Sequence, residues 1–410
     1  MKFYTSFFKH KSNLYIRGYK DKEQFFEIVP LDNCKVYTEN PNTKNYTETS
    51  IYGTPLEEHV FAKPYEASKF IAENTFRNTW GYPRYDYAKI DELYSGENDT
   101  SLIRTCFIDI ETFVGNDTDN GLEPENQFPN IWQNCHEISM ITSIQNGIIK
   151  CQHLSKIDKN EVMKILYEKI KNFDERFKIE FIEYNTEKLL LRDFIKIIKG
   201  FNPDIISGWN TNGFDIPYIY ARICKVLSPK FFEDLSPFRI ITTREYINDY
   251  GEKQLAVNIK GIECLDYLDL YRKFELSPRP DHKLETIATI ELGVGKLDFS
   301  GSFRDFYTNE FNKFVAYNII DVIRVIEIDR EVGFIDVAAQ VAYSAKCVFT
   351  DVYPVTKIWD NIIANYCRER HIQIPADFNH KKQDYEGAFV KPTIPGKYEF
   401  LVTYDVASLN

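Results

Sequence analysis

Three short stretches place carboxylates where they could act together. The first, FIDIET, carries Asp109 and Glu111. On a strand, residues i and i+2 point to the same face, about 6.6 Å apart along the chain. Both carboxylates therefore look into one site while Ile108 and Ile110 turn into the core. Two carboxylates that close raise each other's pKa unless a cation lies between them. Hard oxygen ligands favour magnesium or manganese. The plainer reading is an edge strand with two solvated acids, and Asp-x-Glu alone does not separate the two. The second stretch, GWNTNGFDIPYI, puts Asp215 in the first turn of a helix, where N–H groups and the helix dipole favour an anion. Pro217 is tolerated there because first-turn N–H groups lack intrahelical partners. Alone, a plain helix cap is the simpler account. The third, AYNIIDVIRV, sets Tyr317 and Asp321 at i and i+4 on one helix face. Their neighbours are mostly large and apolar, and an unpaired Asp among them is expensive to bury. Asp321 thus needs a cation, hydrogen-bond donors or a salt bridge, for which Arg324 is at hand.

The elements that must position these groups follow from the hydrophobic pattern. Residues 105–110 and 203–209 read as buried strands, and 135–145 with 147–153 as a hairpin. Residues 161–171, 186–199 and 311–329 read as helices, with another starting near Phe214. A hairpin signal sits at 248–253. This alternation predicts an α/β class, with a mixed sheet flanked by helices. The first 104 residues are rich in Tyr, Phe, Asn and Thr, with strands at 13–17 and 25–30, a helix over 65–78 and a polar linker at 95–101. From Phe334 to about Arg370 the pattern is helical, and residues 397–410 read as a buried strand entering a turn. A domain rarely ends just after a core strand, so the chain reads as a piece of something larger.

Composition bounds the rest. The 410 residues suggest two to three domains at about 150 each. With 43% apolar and 27% charged residues the chain is neither disordered nor collagen-like. Lys and Arg total 50 against 61 Asp and Glu, a net charge of −11. Taken alone, that argues against wholesale neutralisation of phosphates. Eight cysteines with no CxxC pair read as reduced thiols. No signal peptide and no run of roughly 18 apolar residues is found, so a soluble, intracellular protein with no membrane partner is expected.

Taken in order, Asp-x-Glu on a first strand, Asp after a strand and turn, then Tyr-x-x-x-Asp on a helix resemble the four-carboxylate 3′–5′ exonucleases of the ribonuclease-H-like fold. The histidine subclass places His five residues before the last Asp; here that residue is Ala316, which specifies the tyrosine subclass. The resemblance spans nearly the whole chain, which looks like the amino-terminal part of a family B DNA polymerase of the T-even phage type. It rests on IYG at 51–53, FNPDIISGWNTNGFDIPYI at 201–219, LDYLDLYRKF at 265–274, YNIID at 317–321, YEGAFV at 385–390 and DVASL at 405–409.

The resemblance implies that Asp109, Glu111, Asp215 and Asp321 hold two divalent ions, magnesium or manganese, while Tyr317 and Glu111 orient the attacking water. The implied substrate is a single-stranded 3′ end frayed from a primer-template, and the product a nucleoside monophosphate. Implied DNA contacts are Phe113 and Phe214 by stacking, Asn210 at the terminal nucleotide, Arg244 at phosphate, and Tyr385 and Gly387 of the Tyr-x-Gly element. Trp209 is expected to be core. The hairpin over 248–260 would help part template from primer. Asp405 resembles the first metal-binding aspartate of polymerase motif A, while Asn410 stands where the family has tyrosine. The second polymerase aspartate is not in the chain, so synthesis would require a carboxy-terminal part, supplied as a separate fragment if the gene is split. Replication clamp contacts would lie on that part. The implied domains are 1–104, the first piece of a small α+β amino-terminal domain; 105–336, the exonuclease; 337–379, helices returning to the first domain; and 380–410, the first strands of a palm. A host-cell cytoplasmic location is implied. The alternatives are a stand-alone exonuclease, against which YEGAFV and DVASL argue, and a non-catalytic DNA-binding assembly subunit.

Overall fold

The structure, a computed structural model, describes all residues except 43–45, 75–77, 113–128, 135, 248–250, 296–302, 377–391, 393, 401 and 403–410. The chain divides into two units, residues 1–376 and 377–410.

Two small sheets open the first unit. Strands β1 (Lys2–His10), β2 (Asn13–Lys20) and β3 (Glu23–Pro30) form an antiparallel meander. Its second turn has positive φ at both Asp21 and Lys22, the twist that a two-residue hairpin requires. Strand β4 (Cys34–Glu39), the short β5 (Thr49–Ser50), β6 (Leu56–Phe61) and β7 (Thr79–Trp80) follow, with β4 between β6 and β7. Helix α1 (Pro64–Glu73) covers that sheet through Ala67 against Cys34 and Val36. The helix expected over 65–78 stops at Glu73, because the Asn74 side chain donates to the Phe70 carbonyl at 2.8 Å and closes the last turn. Helix α2 (Tyr85–Leu93) follows. The expected linker ends in a 3₁₀ turn, Thr100–Leu102, capped by Asp99.

The main sheet is mixed and six-stranded. Its strands are β8 (Thr105–Thr112), β9 (Ile138–Gln145), β10 (Ile148–His153), β11 (Lys178–Glu183), β12 (Ile205–Gly208) and β15 (Glu263–Asp266), in the order β11-β10-β9-β8-β12-β15. Strands β8, β9 and β10 run antiparallel to their neighbours in turn, whereas β8, β12 and β15 are parallel and β10 pairs parallel with β11. Asn146 and Gly147, both at positive φ, make the β9–β10 turn. Strands β12 and β15 are buried along their whole length, as parallel strands covered on both faces must be.

Helices cover both faces. On one, Cys106, Ile108, Ile110 and Ile206 pack against α5 (Glu187–Phe201), α6 (Asp215–Val226) and α7 (Pro229–Glu233). On the other, Phe107, Ile205 and Leu265 share a core with α3 (Lys159–Lys169), the short α4 (Phe173–Arg176), α8 (Tyr267–Phe274), α9 (Leu284–Leu292), α10 (Phe303–Asn309) and α11 (Phe311–Val332). The hairpin β13 (Ile241–Ile247) and β14 (Lys253–Ile259) stands apart as its own ladder.

After Gly333 ends α11 at φ 69°, helices α12 (Phe334–Ser344) and α13 (Val355–Glu369) and strand β16 (Ile372–Gln373) run back to the start of the chain. Strand β16 pairs with β5. Arg368 meets Asp91 at 3.1 Å, and the Tyr4 hydroxyl donates to the Cys347 carbonyl at 2.9 Å.

In the second unit the described residues are exposed, Phe400 at 96%. The buried strand expected over 397–410 is not formed at 397–400 or at Val402. A strand needs a neighbour for its N–H and C=O groups, and no strand is present among the described residues of this unit.

Candidate active site

Strand β8 sets the site. Its alternation sends Cys106, Ile108 and Ile110 into the α5–α6 core and leaves Asp109 and Glu111, both half-buried, on the side of α11. Asp215 arrives from the opposite helix layer. It is the first residue of α6 and almost wholly buried, and its Oδ1 accepts the Ile110 N–H at 3.0 Å. That bond ties the start of α6 to β8 between the two carboxylates. Helix α11 supplies Tyr317 and Asp321 from one face, with the Tyr317 hydroxyl hydrogen-bonded to Asp321. Asp109 and Asp321 line a pocket of about 150 Å³ with Gly208, Trp209 and Leu284. The structure thus brings together five residues from three separate stretches of sequence.

Electrostatics describe the same convergence. Burial, then Asp215, Glu111 and Asp321 push the Asp109 carboxyl well above the usual range. Burial and the Asp321 charge push Glu111 up to about 8, against a lowering hydrogen bond from Asn318. Burial raises Asp215, opposed by the Ile110 N–H and its own N–H. Burial raises Tyr317, with Asp321 and Glu111 adding to it. Such a cluster holds protons unless a cation replaces them.

The donor set is therefore all hard oxygen, as magnesium or manganese prefers. Among the described residues no three His, Cys, Asp or Glu side chains stand ready-made as a metal cage. Magnesium does not require one, since it usually takes one or two carboxylates and completes its shell with water and substrate phosphate. In that chemistry the carboxylates fit the group.

The turn before α6 is held by a residue that sequence reasoning did not single out for the site. Asp266, at the end of β15, accepts the N–H of Asn210 at 3.1 Å and of Asn212 at 2.8 Å, and caps α8 through the Leu268 N–H at 3.0 Å. Burial, with Asp269 near, pushes its carboxyl up to about 6. Asn318 was also passed over, although it is wholly buried and donates to Asp109. Its signal was available: an amide beside Ile319 and Ile320 on an apolar helix needs a polar partner.

The remaining expected residues are more scattered. Asn210 is exposed at the turn, in the left-handed region at φ 64°. Phe214 is half-buried with its ring 5.2 Å from that of Tyr218. Trp209 is a pocket wall: its indole donates to the His282 carbonyl at 3.1 Å and stacks on Tyr267 at 6.3 Å. Arg244 is exposed on β13, 5.5 Å over Tyr246, and lines a second groove of about 470 Å³ with Asn212 and Lys260. Phe113, Tyr385, Gly387 and Asp405 lie outside the described residues.

Comparison with known proteins follows this geometry. The family described as DNA polymerase family B, exonuclease domain, matches residues 85–287. The DNA-directed DNA polymerase of Escherichia phage RB69 is 31% identical over 385 residues, covering 88% of this chain and 40% of the relative. That of Enterobacteria phage T4 is 34% identical over 232 residues, covering 57% of this chain and 26% of the relative. The DNA polymerase catalytic subunit of saimiriine herpesvirus 2 is 26% identical over 247 residues, 56% of this chain and 24% of that one. The chain thus spans well under half the length of these relatives. It carries the exonuclease domain of the family B DNA polymerases and corresponds to the amino-terminal part of its phage relatives.

Proposed function

We propose that residues 105–336 form a ribonuclease-H-like 3′–5′ exonuclease that removes nucleotides from single-stranded DNA ends, and that the whole protein is a phage replicative polymerase. The clustering of Asp109, Glu111, Asp215, Tyr317 and Asp321 about β8, with Asp109 and Asp321 lining one small pocket, carries this reading. In it, Asp109, Glu111, Asp215 and Asp321 hold two divalent ions, magnesium or manganese. When bound, such ions supply a nucleophilic water at neutral pH and offset the charge on the phosphate oxygens.

The chain's own residues do the rest. Asp109, Glu111 and Asp215, whose carboxyls burial pushes up, must give up protons that the metal-free site retains, so activity rises with pH as they ionise. Tyr317, its O–H donated to Asp321, leaves its hydroxyl oxygen as an acceptor that orients the attacking water. Asp215 fixes the α6 start on β8 through the Ile110 N–H, which keeps the carboxylates in register. Asn210, Phe214, Phe113 and Arg244 are the proposed DNA contacts, with Tyr385 and Gly387 leading into a palm.

The proposed domains are 1–104, 105–336, 337–379 and 380–410. The pairing of β16 with β5 and of Arg368 with Asp91 supports the third as a return to the first. Polymerisation is assigned to the whole protein, with Asp405 as one of its metal ligands, and the protein acts in the host cytoplasm. No helix among the described residues is long and apolar enough to cross a membrane. Digesting a 5′-labelled oligonucleotide tests the reading. A ladder shortened from the 3′ end, present with magnesium and absent with chelator, is expected. Intact oligonucleotide in magnesium contradicts it.

A further inference from the structure

The four carboxylates account for charge in the pocket but not for the buried amide beneath them. Asn318 sits on α11 between Tyr317 and Asp321 and is wholly buried. Its Nδ2 donates to Asp109 Oδ2, and the same side chain hydrogen-bonds Glu111. Its Oδ1 is buried with no partner among the described residues. The amide orientation follows from the carboxylates. With the carboxylates ionised, as they are around a cation, an Oδ1 turned towards them would set two acceptors against each other. So Nδ2 faces β8, and the carbonyl bears the cost of going unpaired. Nothing local calls for asparagine here, since it is a poor residue for a helix interior and its neighbours are apolar.

We propose that Asn318 is a positioning residue whose amide holds Asp109 and Glu111 in the orientations from which they take a divalent cation. This rests on the metal-dependent reading above. An ionised carboxylate only accepts hydrogen bonds, and the lone pairs that a cation leaves free still need donors in a buried site. One amide with two diverging N–H groups can serve two side chains at i and i+2 on a strand. Without it each carboxylate is free to rotate away from its neighbour, and bringing them together again opposes cation binding. Partners of this kind typically alter metal affinity about 10- to 100-fold.

The test is calorimetric titration of manganese into the full chain, comparing wild type, Asn318→Leu, Asn318→Ser and Asp109→Ala. Leucine keeps the volume and removes both donors; serine keeps one. The expected result is a Kd about 10- to 100-fold weaker for Asn318→Leu and an intermediate value for Asn318→Ser, with kcat largely recovered in both at saturating metal. A purely structural role would lower the urea midpoint and leave the Kd alone. Unchanged Kd in the variants that fold overturns the proposal; if only Asn318→Ser folds, its Kd decides. Should wild type bind no manganese, or Asp109→Ala bind it equally well, the metal reading itself fails and takes the role of Asn318 with it.

Discussion

Each pocket residue answers to a rule that can be applied before any fold is known. Asp109 and Glu111 share a face because strands alternate, and Tyr317 and Asp321 because helices repeat every three to four residues. Asn318 and Asp266 were harder to read, since the pattern shows that a buried amide or carboxylate needs a partner but not which one. The raised carboxyls give a pH test. Glu111 ordinarily titrates near 4.5 and in the folded chain near 8. A folded pKa above the unfolded one means that the folded state binds the proton more tightly. Its contribution is fully present below about 4.5 and is lost as pH rises through about 8. In chelator, therefore, the melting temperature should fall between pH 5 and 8, and added magnesium should raise it more at pH 8 than at pH 6. Thermal melts across that grid check both. A flat profile in chelator would contradict the cluster of protonated carboxyls.

At the level of elements, the sheet holds the pocket by close backbone approach. A Cβ at Gly208 would run into the Ile108 carbonyl and the Thr211 hydroxyl, prising β12 from β8 beside Asp109. Gly208→Ala should cost about 1–3 kcal/mol of stability and reduce nuclease activity; urea unfolding and digestion rates measure the two. The lower end of the same sheet is joined to the first meander by a buried pair. Arg17 approaches Asp204 at 3.2 Å and also donates to the Pro203, Gly261 and Asn202 carbonyls. Removing one partner of such a pair leaves a charge unpaired, so Arg17→Met should destabilise by about 3–5 kcal/mol, read from the urea midpoint. The β9–β10 hairpin was legible from the adjacent strand runs 135–145 and 147–153, and α5, α6 and α11 from their apolar periods. The Arg17–Asp204 link was not, because no local pattern couples residues so far apart in sequence. At 397–400 and Val402 the expected strand is not formed, and the reason is related: apolar alternation shows that a segment can pair, not that it does.

For the molecule as a whole, the −11 net charge argued against nucleic acid, and it did so by averaging. Several of those acids gather around Asp109, where a divalent cation rather than lysine is the natural counter-charge. The division at residue 376 makes a further prediction. Residues 1–376 should fold alone, with a urea midpoint matching that of the full chain; a clear loss of stability would show that 377–410 belongs to the same cooperative unit. The likeness is to relatives much longer than this chain, so the activity of the site is what most needs measuring. The direct measurement is release of deoxynucleoside monophosphate from single-stranded DNA, with magnesium, by wild type and by Asp109→Ala and Asp321→Asn. The account predicts stepwise release by wild type and a loss of at least about 100-fold in each variant, as removal of a group essential to the chemistry brings. Equal rates in all three, or no release by wild type, would contradict it.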